Sequence, residues 1–224
     1  PEVMAVSGLV AAAELETLPQ EQFELVYGGM LQHINRRKIR GSELSTHELL
    51  WSSQYGVGAN MAFRATIFEA VGNFDVALDV GTPSRGAGDI EMFHRILAKG
   101  YSTFYDASAF VGHLHRRSAE ALSRQLQDNG RSFGAYLLTC YRNGTVGGFE
   151  ILQFAMFQWF NWWLLRRLRH PGLLPRNLVV SELLGALHSP FAYMAAQSQA
   201  RKLEELSLEE QSQPEPQTVA GGAG

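Results

Sequence analysis

Strand-like and helix-like patterns alternate along the first half of the chain, and this alternation most restricts the folds open to it. Residues 3–10 form an apolar run typical of a strand, and residues 14–38 carry apolar side chains at helical spacing with an interruption at Gly28-Gly29. Further on, the patterns predict two helices and then two short strands, over residues 65–71, 89–99, 102–105 and 109–113. Such alternation predicts an α/β domain.

Length and composition narrow the class of protein. The 224 residues suffice for one sizeable domain, or for a smaller domain with an appendage. A net charge of -3 without a clustered basic surface gives no reason to expect nucleic acid as a partner. Cys140 is the only cysteine, so the chain can form neither an internal disulfide nor a thiolate metal site. We expect a reducing compartment, with Cys140 as a small buried hydrophobe.

The two ends of the chain differ in character. The first residue is not methionine and a strand pattern begins at Val3, so we expect a longer protein of which this is the back part. A functional site shared with a preceding segment would then be only partly visible. Residues 201–224 change to Glu, Gln, Ser and Pro and then to Ala and Gly, which predicts a disordered tail.

An acidic residue stands at the start of one predicted helix, in the run Gly88-Asp89-Ile90-Glu91. A carboxylate at a loop-to-helix junction can face a cleft and accept a proton. The structural alternative is that Asp89 caps the helix by accepting a hydrogen bond from a backbone amide, and the two roles are compatible. Glu91 is the competing base, although an acid in the first helical turn also suits the helix dipole.

A histidine closes the last predicted strand, in the run Val111-Gly112-His113-Leu114-His115-Arg116. Neutral imidazole is a common ligand of Mn-type ions, so His113 is a candidate metal ligand. The alternative is a structural histidine hydrogen-bonded to backbone at a strand end. His115 stays unassigned, and Arg116 and Arg117 are either diphosphate ligands or a solvated basic pair.

The order of these motifs resembles the second half of the family-two inverting glycosyltransferases of GT-A fold. The resemblance covers roughly residues 3–141. It rests on Gly-Ala-Asn-Met-Ala with its arginine at 58–64, Gly-Asn-Phe-Asp at 72–75, the acidic motif at 88–89 with Arg95 and Gly100-Tyr101 downstream, and Val-Gly-His with Arg116 at 111–116. It implies the C-terminal, acceptor-binding half of a GT-A domain over residues 1–145, with a helical region appended.

The resemblance also implies partners and residue roles. It implies a nucleotide-sugar donor, a glycan, lipid-linked or other hydroxyl acceptor, and a divalent Mn or Mg ion. Asp89 matches the catalytic base and His113 the metal-ligating histidine, while the substrate would contact Gly58, Asn60, Gly88 and Arg116. For the Asn60 loop, an equally open interpretation is tight packing of small residues beneath the following helix.

Three departures from the family pattern qualify these expectations. Gly88 stands where the family often has a second acid, so Asp89 alone is left to act as the base. The Asp-x-Asp element that holds metal and diphosphate is absent and should lie upstream of Pro1, which would complete the metal site. The Gln-x-x-Arg-Trp motif of processive synthases is also absent, which argues against a cellulose-type polymerase.

A second unit follows, which we predict to consist of amphipathic, aromatic-rich helices over residues 146–200. Residues 151–168 contain three of the four tryptophans and end in arginines, and no acid lies between Glu150 and Glu182. The segment is too short and too polar for a membrane span but suits a helix lying at the membrane surface. The alternative is an aromatic helix packed on residues 177–200, whose apolar residues recur at helical spacing.

The sequence therefore predicts an inverting hexosyltransferase-like enzyme, peripheral on the cytoplasmic face of the cell membrane. The chain alone, without a donor-binding half, should be inactive. A second interpretation is a non-catalytic, membrane-associated binding module of the same fold. A third, a metal-dependent hydrolase built on Asp89, His113 and His115, is disfavoured because no further ligand stands at short spacing.

Overall fold

A four-stranded mixed sheet forms one layer of the protein in the computed structural model, which describes residues 2–30, 34–170 and 174–212. The strands are β1 (Val3–Ala12), β2 (Arg37–Arg40), β3 (Met61–Phe63) and β4 (Ser102–His113). Their order across the sheet is β2-β4-β1-β3. The central strands β1 and β4 are parallel, and each edge strand is antiparallel to its neighbour. The α/β class predicted from the sequence is confirmed.

Helices cover the sheet and extend beyond it. The α-helices are α1 (Leu18–Glu21), α2 (Thr46–Leu50), α3 (Ile67–Val71), α4 (Gly88–Ala98), α5 (Ala119–Arg142), α6 (Gly148–Gln153), α7 (Arg166–Arg169) and α8 (Arg176–Ser212). Two segments are wound as π-helix, Gln22–Tyr27 after α1 and Phe154–Leu165 between α6 and α7. We call the unbroken run from α6 to α7 the aromatic helix.

The helix predicted over residues 14–38 is shorter than expected. It begins at Leu18 and ends at Tyr27, because Gly28 and Gly29 have φ angles of 113° and 58° and both donate backbone hydrogen bonds to the Phe23 carbonyl. Residues 31–33 lie outside the described part of the chain. The basic run Arg36-Arg37-Lys38, at the end of the predicted helix, instead leads into β2, where Ile39 is buried and Lys38 pairs with Glu2.

The two strands predicted over residues 102–105 and 109–113 form one continuous strand, β4. Its pairing with β1 shifts register between Gly8 and Leu9, opposite the point where the sequence pattern breaks. There the Asp106 carboxylate accepts hydrogen bonds from both the backbone amide and the hydroxyl of Ser108. Arg36 lies 2.7 Å from the same carboxylate oxygen, which stabilises the irregular segment.

Small residues let α5 and α8 cross at very close range. A Cβ at Gly130 would lie 2.0 Å from the Glu182 carbonyl oxygen, and a Cβ at Gly185 would lie 1.8 Å from the Gln127 carbonyl oxygen. Gly134 meets Ser189 in the same way, at 2.2 Å from its hydroxyl. These contacts fix the relative position of the two helices, because nothing larger than glycine fits against a backbone carbonyl.

Gly185→Ala should therefore destabilise the protein by about 1–3 kcal/mol, the usual cost of overpacking a close contact. The measurement is urea unfolding followed by circular dichroism. Gly81→Ala is the matched control, since a Cβ there meets nothing within 4 Å. Equal stability of the two variants would show that the helices can separate without cost.

The C-terminal helix is longer than predicted. α8 continues to Ser212, past the expected start of disorder at residue 201, and its last turns consist largely of Lys, Glu and Leu, which favour helix. Residues 213–224, the rest of the predicted tail, lie outside the described part of the chain. Pro190 sits inside α8 and lacks an amide to bond the Ala186 carbonyl, which instead accepts from the Ser189 hydroxyl at 2.7 Å.

One hydrophobic cluster draws on residues from both sides of the predicted boundary at residue 145. Phe23 and Leu50 from the first part pack with Phe154, Trp159 and Leu178 from the second. A separate cluster joins α4 to the sheet through Met92, Phe93 and Ile96. The aromatic helix is thus part of the protein core along one side.

Cys140 lies in the larger cluster with 1% of its surface exposed. Burial raises the pKa of its thiol to about 12, so very little reactive thiolate exists at neutral pH. We expect Ellman's reagent to leave the native protein essentially unmodified at pH 8 and to modify one thiol per chain after unfolding in guanidinium. Rapid modification of the native protein would contradict the burial.

Candidate functional site

An aromatic cleft of about 710 Å³ lies between the helical layer and the first turn of α4. Both π-helical segments contribute to its walls, as do α5 and the loop around residues 51–57. All four tryptophans of the chain line it, namely Trp51, Trp159, Trp162 and Trp163. π-Helical turns are rare and are found frequently at functional sites, so their meeting at one cleft marks it as the candidate site.

Asp89 lies in the lining of this cleft. One of its carboxylate oxygens accepts a hydrogen bond from the backbone amide of Gly58 at 2.6 Å, and the other accepts from Ile90 at 2.9 Å. Helix α4 begins one residue earlier, with Ala87 in the capping position, so Asp89 is not the helix cap. The two amides fix the direction of the carboxylate at the cleft, beside the positive end of the helix dipole.

The backbone that leads to Asp89 is strained. Arg85 and Ala87 adopt φ angles of 69° and 80°, in the left-handed region that favours glycine, and Gly86 between them has a φ of 132°. Such conformations cost on the order of 1–3 kcal/mol each and cluster at active sites and ligand clamps. This backbone conformation leads directly into α4 and so sets the direction from which Asp89 reaches the cleft.

The structure brings together two of the residues predicted to form the site, Gly58 and Asp89. A Cβ at Gly58 would lie 3.2 Å from the Asp89 carboxylate, so glycine allows the close approach. Gly88 supplies the first residue of α4 directly before Asp89. Of these three residues Asp89 lines the cleft, and Gly58 and Gly88 adjoin it through a hydrogen bond and through the chain.

Asn60 has a structural position. Its side-chain amide donates to the Leu9 carbonyl at 3.1 Å and to the Ala109 carbonyl at 2.8 Å, and it does not appear in the cleft lining. It therefore bridges β1 and β4 where their register shifts. The geometry favours packing, one of the two interpretations of this loop.

Glu91, the competing base, points away from the cleft. It is buried and forms an ion pair with Arg95 at 2.7 Å, and Arg95 in turn donates to the carbonyls of Val71 and Asn73. Burial raises the pKa of the Glu91 carboxyl, with Arg95 opposing the effect. The pair ties α4 to the end of α3.

His113 lies at the end of β4 and contacts His115, whose Nδ1 is 3.3 Å from the Nδ1 of His113. The Nε2 of His115 lies 2.6 Å from the Glu24 carboxylate, and Glu24 also accepts from the Ala12 amide. His115 and Glu24 are both buried. Burial, and then the neighbouring His115 and Arg116, lower the pKa of His113, which favours its neutral form.

This arrangement suits His113 as one metal ligand. The Glu24–His115 pair orients the Nδ1 side of its ring, as second-sphere groups orient metal-bound imidazoles. No group of three or more ligating side chains occurs within residues 2–30, 34–170 and 174–207. Any metal would need further ligands, and His115 has both ring nitrogens engaged, which removes the second ligand that the hydrolase interpretation needs.

The two arginines predicted to contact the diphosphate, Arg116 and Arg117, differ in their partners. Arg117 forms ion pairs with Glu14 and Glu16, so it acts as a surface clamp rather than a diphosphate ligand. Arg116 is exposed, and it lies close enough to His113 to affect its pKa. Within the described ranges, no hydrogen bond joins Asp89 to His113. The two are linked only indirectly: His113 contacts His115, and the His115 ring lies 4.8 Å from the ring of Phe23, which lines the cleft.

The floor of the cleft carries a polar group that the sequence analysis did not single out, centred on Glu182 of α8. One Glu182 oxygen accepts from the Tyr27 hydroxyl and from the Trp163 indole, each at 3.0 Å. Burial raises the pKa of the Glu182 carboxyl. The guanidinium of Arg167 lies 3.4 Å from the centre of the Trp163 ring and donates to the Tyr27 carbonyl.

Parts of the aromatic helix and of α8 expose apolar side chains. On the aromatic helix, the exposed residues are Phe149, Leu152, Met156, Phe157 and Trp162, and on α8 they include Leu184, Leu187, Phe191 and Met194. Phe154, Trp159 and Leu164 of the aromatic helix are buried, and Trp163 bonds to α8. One side of the aromatic helix is therefore packed in the core, as one of the two interpretations predicts, and its other side is exposed.

In length and composition, the segment Arg176–Ser207 of α8 would also satisfy the requirements of a membrane span. The protein itself buries 39% of the most apolar 18-residue stretch of this segment. Core helices of soluble proteins satisfy the same requirements, so length and composition alone do not identify α8 as a membrane span.

Comparison of the chain with models of protein families, with curated proteins and with solved structures found no match.

Proposed function

We propose that the chain is the acceptor-binding and catalytic half of a family-two inverting glycosyltransferase of GT-A fold. The observation that carries the proposal is the position of Asp89, fixed by two backbone amides at an aromatic cleft large enough for a sugar-sized substrate. The order of sequence motifs adds to it, because Gly58, Gly88 and Asp89 meet at this point. The Asp-x-Asp element that the resemblance assigns to the donor side does not occur in this sequence.

In this proposal Asp89 is the general base. It accepts the proton of the acceptor hydroxyl while that oxygen attacks the anomeric carbon of the donor and the bond to the diphosphate breaks. A base needs a fixed direction toward the hydroxyl, and the bonds from Gly58 and Ile90 supply it. Attack from the face opposite the diphosphate inverts the configuration.

The divalent metal has one candidate ligand in the described part of the chain, His113. When bound, it would neutralise negative charge on the departing diphosphate. Neutral imidazole suits such an ion, and the lowered pKa of His113 keeps the ring neutral. Exposed Arg116 beside it would add a positive charge for the same diphosphate.

The aromatic cleft also supports a second candidate, a non-catalytic binding module. Seven aromatic side chains line the cleft beside two acidic ones, Asp89 and Glu182, and such a lining can hold a ligand without transforming it. The two functions differ in whether nucleotide is released. They are separated by incubating the complete gene product with UDP-, GDP- and dTDP-sugars, a glycan and lipid acceptor extract, and Mn²⁺ or Mg²⁺. The enzyme releases nucleoside diphosphate only with acceptor present, whereas release at the buffer rate from every donor supports the binding module.

We also propose a peripheral position on the cytoplasmic face of the cell membrane. The exposed side of the aromatic helix combines apolar residues with Arg166 and Arg169, and Trp162 lies at 54% exposure beside them. Aromatic rings at headgroup depth with arginines toward anionic lipid are typical of surface-bound helices. Arg167 differs, since it faces inward to Tyr27 and Trp163.

Replacing Arg166 and Arg169 together by glutamine should weaken binding to anionic vesicles by about thirtyfold, at about 1 kcal/mol per basic residue near the surface. Co-sedimentation at low and high salt measures the effect, and binding of the wild type should fall with salt. The matched control replaces Arg40 and Lys99, which are exposed outside the aromatic helix. An equal loss in the control, or no binding by the wild type, would end this part of the proposal.

A further inference from the structure

Two buried oxygen atoms on the cleft floor have no hydrogen-bond partner among the described residues. Glu182 is 3% exposed; its first oxygen accepts two hydrogen bonds and its second, Oε2, accepts none. The Oε1 atom of Gln125, on α5, is likewise buried without a partner. A buried polar atom without a partner costs free energy, and both residues line the cleft. A ligand that donates hydrogen bonds would satisfy both.

The surrounding structure holds these atoms in place. The Glu182 backbone is pressed against Gly130, where a Cβ would lie 2.0 Å from its carbonyl oxygen. Tyr27 and Trp163 fix one carboxyl oxygen and thereby set the direction of the other. Asn129, one turn from Gln125, donates to the Tyr27 hydroxyl at 3.4 Å. The site is preorganised, which lowers the entropy cost of binding.

The chemistry of the cleft selects a neutral ligand with several hydroxyl groups. Two unpaired acceptors require at least two donors, and aromatic walls suit the C–H faces of a sugar ring. A ligand ammonium would meet the Arg167 guanidinium, which already occupies the face of Trp163 at 3.4 Å and lies over Tyr27 at 5.1 Å. An anionic ligand would be disfavoured by the buried carboxyl of Glu182. A saccharide is uncharged, so neither Arg167 nor Glu182 disfavours it.

We propose that the cleft floor between α5 and α8 binds a saccharide unit of the acceptor, whose hydroxyls donate to Glu182 Oε2 and Gln125 Oε1. The inference rests on the proposed function, because it places the reacting hydroxyl of that unit toward Asp89 in the same cleft. Glu182 and Gln125 are binding residues in this account and take no part in proton transfer. They define the acceptor as a glycan or a sugar-bearing lipid.

Tryptophan fluorescence measures the binding directly, because all four tryptophans line the cleft. The probes share an octyl chain and differ in headgroup: octyl β-glucoside, octyl β-galactoside and octyl α-mannoside against octanol and octyltrimethylammonium, all below their micelle concentrations. We expect saturable binding of at least one glycoside, at least tenfold tighter than that of octanol or the ammonium probe. Equal or tighter binding of octanol or the ammonium probe, or no glycoside binding, overturns the proposal.

Two variants test the named atoms. Gln125→Met removes an unpartnered acceptor at similar volume, so it should weaken glycoside binding by about threefold to tenfold while leaving thermal stability unchanged or higher. Glu182→Gln keeps an oxygen for Tyr27 and Trp163 and replaces Oε2 by a donor, and it should weaken binding in the same range. Gln153→Met, on an exposed position of α6, is the control and should bind like the wild type. Wild-type affinity in both cleft variants would overturn the assignment.

The outcome separates this inference from the proposed function. Glycoside binding needs no donor and no turnover, so it is measured on the chain itself. Binding that depends on Gln125 and Glu182, without acceptor-dependent nucleotide release by the complete gene product, retains the saccharide site and rejects the enzyme. Nucleotide release without glycoside binding retains the enzyme and rejects this site.

Discussion

Replacing Asp89 by asparagine is expected to lower kcat of the complete gene product by about a hundredfold or more, in line with the contribution of a general base. Asparagine has nearly the size of aspartate and can still accept one of the two amide hydrogen bonds, from Gly58 or Ile90. The loss of the other should cost only about 1 kcal/mol of stability, so the fold should persist. Initial rates of nucleoside diphosphate release at saturating donor and acceptor measure the effect.

Asp79→Asn is the matched control, because Asp79 is exposed and lies outside the cleft lining. Its kcat should equal that of the wild type. Circular dichroism of both variants confirms that each is folded. A kcat of Asp89→Asn within about threefold of the wild type would remove this carboxylate from the role of base.

Replacing Trp159 by alanine is expected to cost about 3–5 kcal/mol of unfolding free energy, the usual range for a large core aromatic. Trp159 is 9% exposed, belongs to the main hydrophobic cluster and stacks on Phe133 with ring centres 6.4 Å apart. Trp162→Ala should cost less than about 1 kcal/mol, since that ring is 54% exposed. Urea unfolding followed by circular dichroism avoids the loss of fluorescence signal.

In binding to anionic vesicles the same two variants should rank the other way, with the larger loss of affinity in Trp162→Ala. Trp162→Ala removes a ring from the exposed side of the aromatic helix, whereas Trp159 faces the core. Equal loss of stability in the two variants would contradict the burial that distinguishes the two sides of this helix.

The strongly patterned elements were predictable from sequence. The α/β class, β1 and α4 follow from apolar periodicity and from the glycines that end helices. Strand β2 was not predictable, because the partners of Arg36 and Lys38 are Asp106 and Glu2, which are distant in sequence. A basic run at the end of a helical pattern is otherwise typical of a helix C-terminus.

The winding of the aromatic helix was also beyond the sequence patterns. Its buried residues Phe154, Trp159 and Leu164 recur at every fifth position, as a π-helix requires, and not at the spacing of an α-helix. This winding turns Trp163 toward Glu182 and creates the cleft wall. A search for the 3.6-residue period of an α-helix does not detect this five-residue spacing.

The candidate site was partly predictable. The resemblance singled out Gly58, Gly88 and Asp89, although Gly58 and Asp89 are 31 residues apart and spacing alone does not predict their contact. Glu182 did have a sequence signal, as an acid within the apolar run of α8, but an isolated acid indicates burial only when its partners are known. Its partners Tyr27 and Trp163 come from two other segments.

The most direct test of the central claim is the anomeric configuration of the product. Proton NMR of the product formed by the complete gene product from a nucleotide-sugar donor and an acceptor gives the coupling constant of the anomeric proton at the new glycosidic bond. The account predicts a product whose configuration is opposite to that of the donor, because one carboxylate acts as base in a single displacement. A product of retained configuration, or no glycosidic product from any of the UDP-, GDP- and dTDP-sugars, would contradict it.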